Sequence, residues 1–205
     1  MYKEKLFLKN KIDFKTHGGL RVNKILKNNK NNPLVSILTI VKNGQNHLEE
    51  TIQSVLNQTY KNIEYIILDG NSQDSSLEII KKYEKVIDYW ATEPDNSLWD
   101  GFNKALTLAH GDLIGIINSD DVYLPNAVET IVKYYEKNKD MDFIFGSVKK
   151  HWGVLHGYKP WKIKWSWGFY TSHSTGFFIK REASKKVGLY NTKYKYHADY
   201  DYFYR

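Results

Sequence analysis

Between residues 34 and 137 the chain alternates short apolar runs with segments whose apolar residues recur at helical spacing. Four runs read as strands: residues 34–41, 63–68, 86–91 and 113–117. The first is rich in β-branched residues, which is typical of a strand buried on both faces. Helices are predicted after them over residues 47–58, 77–83, 98–109 and 125–137. Strands that alternate with helices predict right-handed βαβ units, so we predict an α/β fold with a mostly parallel sheet flanked by helices.

A basic segment precedes this alternation. Residues 1–34 contain nine Lys or Arg against two acids, Glu4 and Asp13, whereas the rest of the chain is electrically balanced. The polar stretch 27–33 ends in proline and reads as a linker. We therefore predict a basic arm over residues 1–33 and one domain over residues 34–205, with a nucleotide-binding half (34–121) and an acceptor half (122–205). The arm is either a solvated leader or a segment that rests on an anionic membrane surface.

Composition excludes several classes. The absence of cysteine rules out disulfides, thiolate metal sites and a cysteine nucleophile. The balanced charge of the domain argues against nucleic acid as a partner. The sequence contains no apolar run near the roughly 18 residues of a membrane span, and its first residues do not read as a secretory signal. The expected location is the cytoplasm, with peripheral contact at the inner face of the membrane if the arm binds lipid.

The C-terminal region is rich in aromatic residues. Residues 152–205 hold four of the six Trp and eight of the sixteen Tyr. Such a density either fills an irregular core or lines a pocket for a ligand with flat apolar faces, such as a sugar ring. Trp165 and Trp167 are the candidates for acceptor contacts. Because the sequence stops inside a predicted helix, we expect that the C-terminus is truncated.

Acidic and polar residues follow the predicted strands, where open parallel sheets bind ligands. Asp69 follows the second strand, and Asp120 and Asp121 follow the strand at 113–117. Adjacent carboxylates at a strand end suit Mg²⁺ or Mn²⁺, although Asp120 and Asp121 could instead cap the next helix. Neither G-x-G-x-x-G nor G-x-x-x-x-G-K-[ST] occurs, which argues against a nicotinamide dehydrogenase and a Walker-type NTPase. The remaining interpretation is a site that binds a nucleoside diphosphate through a metal and side chains.

Several motifs in order resemble those of the family 2 glycosyltransferases, inverting enzymes of the GT-A fold that use nucleotide sugars. The motifs are LVSILTIVKNG (34–44), ETIQSVLNQTY (50–60), IILDGNSQD (66–74), EPD (93–95), NK (103–104), GD (111–112) and NSDD (118–121). The resemblance covers roughly residues 34–205. The segment GGLR (18–21) is similar to a leader in a subgroup that builds bacterial surface polysaccharides.

This resemblance implies roles for individual residues. The segment after the first strand, with Val41 and Asn43, and Asp69 would hold the nucleotide base and ribose. Asp120 would contact the ribose or diphosphate. Asp121 would coordinate the metal, Mn²⁺ or Mg²⁺.

The segment LWDGFNK (98–104) departs from the subgroup pattern GIYDAMNK. Asp100, Asn103 and Lys104 match, which implies a role near the donor phosphates or sugar. The missing glycine puts the local loop in question. Residues at this spacing also occur on any exposed helix.

The segment HADYD (197–201) resembles the family motif that contains the catalytic base, which points to Asp199. A base must reach the acceptor hydroxyl on the face opposite the leaving nucleotide. The alternative is that Asp199 is an N-cap of the terminal helix. His173 could orient the acceptor or approach the metal, or be an ordinary histidine.

The resemblance implies a metal-dependent inverting glycosyltransferase of polysaccharide biosynthesis. Its donor is expected to be UDP-linked, and its acceptor a hydroxyl of a glycan or lipid-linked glycan. Two other classes stay open: a nucleotidyltransferase that makes a sugar nucleotide, and a non-catalytic module that binds nucleotide or glycan.

Overall fold

A computed structural model describes residues 14–28, 30–155 and 174–205. Its centre is a seven-stranded sheet in the order β1-β4-β3-β2-β5-β9-β6, beside a two-stranded sheet β7-β8. The strands are β1 Thr16–Gly18, β2 Val35–Val41, β3 Ile63–Asp69, β4 Tyr89–Thr92, β5 Leu113–Ile116, β6 Phe143–Phe145, β7 Val148–Lys150, β8 Gly153–Leu155 and β9 Phe177–Lys180. The helices are α1 Leu48–Leu56, α2 Ser76–Lys82, α3 Leu98–Leu108, α4 Ala127–Lys137, α5 Arg181–Val187 and α6 Ala198–Tyr204.

The middle of the sheet is parallel: β2 pairs with β3 and β5, and β3 pairs with β4. Every residue of β2 and β3 is buried, because helices cover both faces of the sheet. Side chains of β2 alternate between two cores. Ile37 packs in the core that also contains residues of α1, α2 and α4, and Leu38 packs in the core that contains residues of α3 and α6. The predicted α/β architecture is confirmed.

Two element boundaries differ from the sequence prediction. The strand predicted over 86–91 begins at Tyr89, because Val86 and Ile87 donate to the carbonyl of Tyr83 in a turn that follows α2. The helix predicted from residue 125 begins at Ala127, after Asn126. Neither shift changes where a parallel strand of the sheet ends.

Aromatic residues build part of the second core. Tyr190 and Tyr202 are buried, and their rings stack with centroids 4.2 Å apart. Burial raises the pKa of the Tyr190 phenol, which therefore stays neutral. An irregular core is thus one use of the C-terminal aromatic residues. Trp165, Trp167 and His173 lie outside the described residues.

The basic segment differs from the expected arm over residues 14–28. Strand β1 pairs antiparallel with β4 and extends the sheet by one strand. Arg21 forms an ion pair with the buried Glu64 and donates to the carbonyl of Leu108 at 2.9 Å. Lys27 pairs with Asp88 at 2.8 Å. Since these two cations compensate buried carboxylates, residues 14–28 are packed against the domain and are not a solvated leader.

We predict that Arg21→Ala lowers the free energy of unfolding by about 3 kcal/mol, because it leaves the charge of Glu64 buried without its ion pair. Only 4% of the Glu64 side chain and 10% of the Arg21 side chain are exposed. Urea denaturation measures the change. Lys82→Ala is the matched control: Lys82 pairs with Glu49 at an exposed position, so its loss should cost no more than about 1 kcal/mol. Equal effects of the two substitutions would contradict the prediction.

The same pair predicts a dependence on pH. Burial by itself would raise the pKa of Glu64, but hydrogen bonds from His110 and the charge of Arg21 outweigh it and lower the pKa to about 2. A lowered folded-state pKa stabilises the protein above the ordinary value of 4.5, and this stabilisation is lost as the pH falls towards 2. The loss between these pH values should be smaller in Arg21→Ala, as urea denaturation at several pH values would measure.

Candidate active site at the carboxyl edge of the sheet

The loops after β2, β3, β4 and β5 meet at one edge of the sheet, where the parallel strands end. A side chain at Gly44, in the loop after β2, would come within 3.5 Å of Ser119 in the loop after β5. A side chain at Gly70, after β3, would come within 3.3 Å of Asp95, after β4. The acidic loops predicted from the sequence are therefore neighbours in space.

The loops after β2 and β3 are joined by hydrogen bonds. Asn43, whose φ of 56° is in the left-handed region, donates its N–H to Ser72 Oγ and accepts from the N–H of Gln73 through Oδ1, both at 2.8 Å. Asp69 is buried and accepts from Ser72 and, at 2.6 Å, from Thr92 Oγ1. Asp69 thus fixes the shape of the loop, and Val41, which is 1% exposed, belongs to the core beneath it.

Lys104 on α3 forms ion pairs with three carboxylates at this edge. Its Nζ lies 2.5 Å from Glu93, 2.7 Å from Asp95 and 3.2 Å from Asp100. Burial opposes its charge, but the contacts with Asp95 and Glu93 outweigh burial and raise the pKa of the Lys104 ammonium. Burial raises the pKa of Asp95. The cluster has two more negative charges than positive ones when all its groups are ionised.

Helix α3 forms without the glycine of the subgroup pattern. Ser97 caps the helix by accepting from the N–H of Asp100 at 3.2 Å. The helix therefore begins without a glycine at position 97. Gly101 is the glycine that the local packing needs, because a side chain at this position would meet Asp95 at 2.8 Å. Asn103 is buried and bonds both backbone groups of Tyr190, at 2.7 and 2.9 Å. It therefore holds the segment before α6, whereas Asp100 and Lys104 lie at the edge.

Asp120 and Asp121 are not caps of the next helix, since the residue before α4 is Asn126. Asp120 is exposed. The carboxylate of Asp121 accepts from Asn118 Nδ2 at 2.8 Å and from Thr175 Oγ1. Its backbone carbonyl accepts from Thr51 on α1 at 2.8 Å. A residue of its own loop and two other segments of the chain therefore fix the position of Asp121.

The donor set at this edge fits a divalent metal. Asp120 and Asp121 offer hard oxygen ligands, which Mg²⁺ and Mn²⁺ prefer. In the described part of the chain, no three His, Cys, Asp or Glu side chains are grouped as metal ligands. A metal that serves phosphate groups does not need such a cage, because one or two carboxylates complete a shell that water and the phosphates otherwise supply.

A groove of about 840 Å³ lies beside the first turn of α3. Its walls include Leu98 and Trp99 on one side, and residues 192–197 with Asp199 on the other. The N-cap of α6 is His197, with a φ of 64°, so Asp199 is not the N-cap that we considered from sequence. Asp199 is half-buried and accepts from the N–H of Tyr200 at 3.0 Å.

Sequence reasoning missed three contributors. Thr175 bonds Asp121, and Tyr194 and Tyr196 supply exposed rings to the groove. The segment STG (174–176) follows His173, which the sequence did single out, but nothing in its spacing indicates a contact with Asp121. The tyrosines were visible only as part of an aromatic-rich region.

The structure is an α/β fold whose polar loops meet at one edge of the sheet, and the sequence model of Glycosyl transferase family 2 matches residues 36–193. The chain belongs to this family. It is 33% identical over 187 residues to an uncharacterized glycosyltransferase of Methanocaldococcus jannaschii, covering 84% of this chain and 64% of that protein. It is 31% identical over 195 residues to one of Rickettsia typhi, covering 88% and 60%. The chain therefore spans about three fifths of the length of these relatives.

Solved structures share the fold. S. aureus TarS matches with a TM-score of 0.65 at 16% identity, over 81% of this chain and 52% of that one. The mannosyltransferase PcManGT of Pyrobaculum calidifontis, in complex with GDP-Man and Mn²⁺, matches with a TM-score of 0.66 at 15% identity, over 98% and 57%. The GT-A fold expected from the sequence motifs is confirmed.

Proposed function

We propose that this chain carries the donor site and the catalytic base of an inverting glycosyltransferase, which moves a sugar from a UDP-linked donor to a hydroxyl of a glycan or lipid-linked glycan. One observation carries the proposal: the first turn of α3 is shared by two sites. Asp100 belongs to the acidic cluster at the sheet edge, and its neighbours Leu98 and Trp99 form a wall of the groove that contains Asp199. Donor and acceptor would thus meet at this turn.

In this proposal the donor lies along the sheet edge. The loops that contain Asn43 and Asp69 present the pocket for base and ribose, and Asp120 contacts the ribose or diphosphate. Asp121 would hold Mn²⁺ or Mg²⁺, which would stabilise negative charge on a leaving diphosphate. The protein contributes a rigid Asp121 carboxylate, held by Asn118 and Thr175. TarS has been solved with UDP and PcManGT with GDP-Man and Mn²⁺, which supports a nucleotide-sugar donor and a metal.

The acceptor would enter through the groove. Asp199 accepts the proton of the acceptor hydroxyl as the oxygen attacks the anomeric carbon from the face opposite the nucleotide. One displacement of this kind inverts the anomeric configuration. Exposed Tyr194 and Tyr196 offer flat faces against which a sugar ring packs.

Incubation of the chain with a panel of sugar nucleotides, Mn²⁺ and water tests the proposal. We expect release of UDP from one UDP-sugar and little release when the metal is chelated. Release of pyrophosphate from a sugar phosphate and UTP would instead identify a nucleotidyltransferase. Donor binding in calorimetry without any turnover would identify a non-catalytic binding module.

Contact with a membrane is part of the proposal. Val22, Ile25 and Leu26 are exposed beside the exposed Lys24, and four further lysines precede residue 14. Each basic residue near anionic lipid contributes roughly 1 kcal/mol to binding. In the part of the chain that the structure describes, no helix has the length and apolarity to cross a bilayer.

We expect that deletion of residues 1–13 weakens co-sedimentation with anionic vesicles several-fold at low salt, because it removes four lysines and only two acids. The deletion stops before β1, so the pairing of β1 with β4 and the ion pairs of Arg21 and Lys27 are kept. UDP affinity measured on the same preparation should not change. If the truncated chain sediments with vesicles as the full chain does, this segment is not the tether.

A further inference from the structure

One wall of the groove is both aromatic and basic. Lys193, Tyr194, Lys195 and Tyr196 are consecutive, exposed, and all line the groove. The Nζ of Lys195 lies 5.4 Å from the centroid of the Tyr196 ring. The wall therefore offers alternating apolar faces and positive charges.

The backbone of this wall is fixed at two points. Trp99 Nε1 donates to the carbonyl of Lys195 at 3.4 Å. The N–H of Lys193 donates to Asn191 Oδ1 at 3.1 Å. The first bond connects the wall to α3, and the second connects it to Asn191, which precedes the wall in the chain. The two lysines therefore lie on a segment whose backbone is fixed near Asp199.

The positive charge of the wall is not balanced locally. The wall residues 192–197 contain two lysines and no Asp or Glu. Among the described residues that line the groove, Asp199 is the one with a carboxylate. Asp100, which belongs to the neighbouring acidic cluster and does not line the groove, is engaged by Lys104 at 3.2 Å and by the N–H of Asn96 at 3.2 Å. A neutral glycan would form no ion pair with Lys193 or Lys195, whereas an anionic glycan would pair with both.

We propose that the acceptor is an anionic saccharide, whose sugar ring packs on Tyr194 or Tyr196 while Lys193 and Lys195 pair with its carboxylate or phosphate. This inference rests on the proposed function and names the chemical class of its acceptor. An ammonium is a compact charge on a flexible stem, so the pair recognises negative charge without demanding one geometry. Attraction at such an exposed rim depends on ionic strength.

Equilibrium binding in the presence of UDP and Mn²⁺ tests the proposal. The probes are uronate-containing oligosaccharides, oligosaccharides that carry a phosphodiester, and neutral oligosaccharides of the same length. We expect at least one acidic series to bind about tenfold more tightly than the neutral one at low salt, which is the effect of two exposed ion pairs, and to lose this preference at high salt. The two acidic series show whether carboxylate or phosphate is the ligand.

The double variant Lys193→Gln, Lys195→Gln should bind acidic and neutral probes equally. The matched control, Lys81→Gln, Lys85→Gln, removes the same charge from exposed positions on and just after α2 and should keep the preference. Equal binding of acidic and neutral probes by the unmodified chain, binding of none of them, or an equal loss in both variants would overturn the inference. Release of UDP to water by the unmodified chain is measured in parallel, so a failure of the proposed function is seen separately.

Discussion

Asp121→Ala should abolish the metal-dependent part of UDP binding while the fold stays intact. Asp121 is the carboxylate that we assign to the metal, and it lies in a loop that is also held through its backbone: Thr51 bonds its carbonyl, a contact that alanine retains. Calorimetric titration of UDP with and without Mn²⁺ gives the two affinities. In the unmodified chain Mn²⁺ should raise the affinity, and in the variant the two affinities should be equal.

Two further measurements make this result specific. Asp140→Ala removes an exposed carboxylate from the loop after α4, remote in sequence from every site residue, and should leave the effect of Mn²⁺ unchanged. Thermal unfolding of Asp121→Ala should stay close to that of the unmodified chain, because no apolar core side chain is removed. If Mn²⁺ still raises UDP affinity in Asp121→Ala, the metal is held elsewhere and the assignment is wrong.

The central strands and their helices were predictable because their signals are local. Residues 34–41 and 63–68 are mostly Val, Ile and Leu, a composition that is typical of a strand buried on both faces. The position of the acidic loops followed from the same pattern, since parallel strands end at one edge. The sequence alone therefore places Asp69, Asp120 and Asp121 at one edge of the sheet.

The packing of residues 14–28 could not be predicted, because it depends on partners far away in the chain. Arg21 pairs with Glu64, and Lys27 pairs with Asp88. In the sequence these lysines and arginines read as excess charge, because charge counting does not show which cations face buried acids. Strand β1 is only three residues long and polar in part, so it gives no periodic signal either.

In the site, too, a match to a family motif does not show what a side chain contacts. Asn103 matches a family motif, yet it bonds the backbone of Tyr190 and so supports the groove indirectly. Thr175 matches nothing that was singled out, yet it bonds Asp121. Motif matching identifies residue types in order along the chain, whereas the direction of each side chain is set by tertiary packing. Substitutions that affect either donor binding or sugar transfer are therefore required to assign a role to each residue.

Asp199→Asn should lower the rate of sugar transfer by about 10² to 10⁴, the usual cost of losing a general base. Asparagine keeps nearly the same shape and can still accept the hydrogen bond from the N–H of Tyr200. It cannot take a proton from the acceptor hydroxyl at neutral pH. Donor affinity, which we assign to Asp69, Asp120 and Asp121 at the sheet edge, should be unchanged. Transfer rate and UDP affinity are measured on one preparation of the variant.

A structural role for Asp199 predicts a different outcome. His197 is the N-cap of α6, so Asp199 lies inside the first turn, where a carboxylate near the helix N-terminus contributes only about 0.3–1 kcal/mol to stability. Asp201→Asn is the matched control, because it removes the same charge from the same turn, and Asp201 is not among the residues that line the groove. If Asp199→Asn transfers sugar within a few-fold of the unmodified chain while Asp201→Asn loses activity, Asp201 is the base. If both variants lose only stability, measured by thermal unfolding, neither carboxylate accepts the proton and the groove is not where the acceptor reacts.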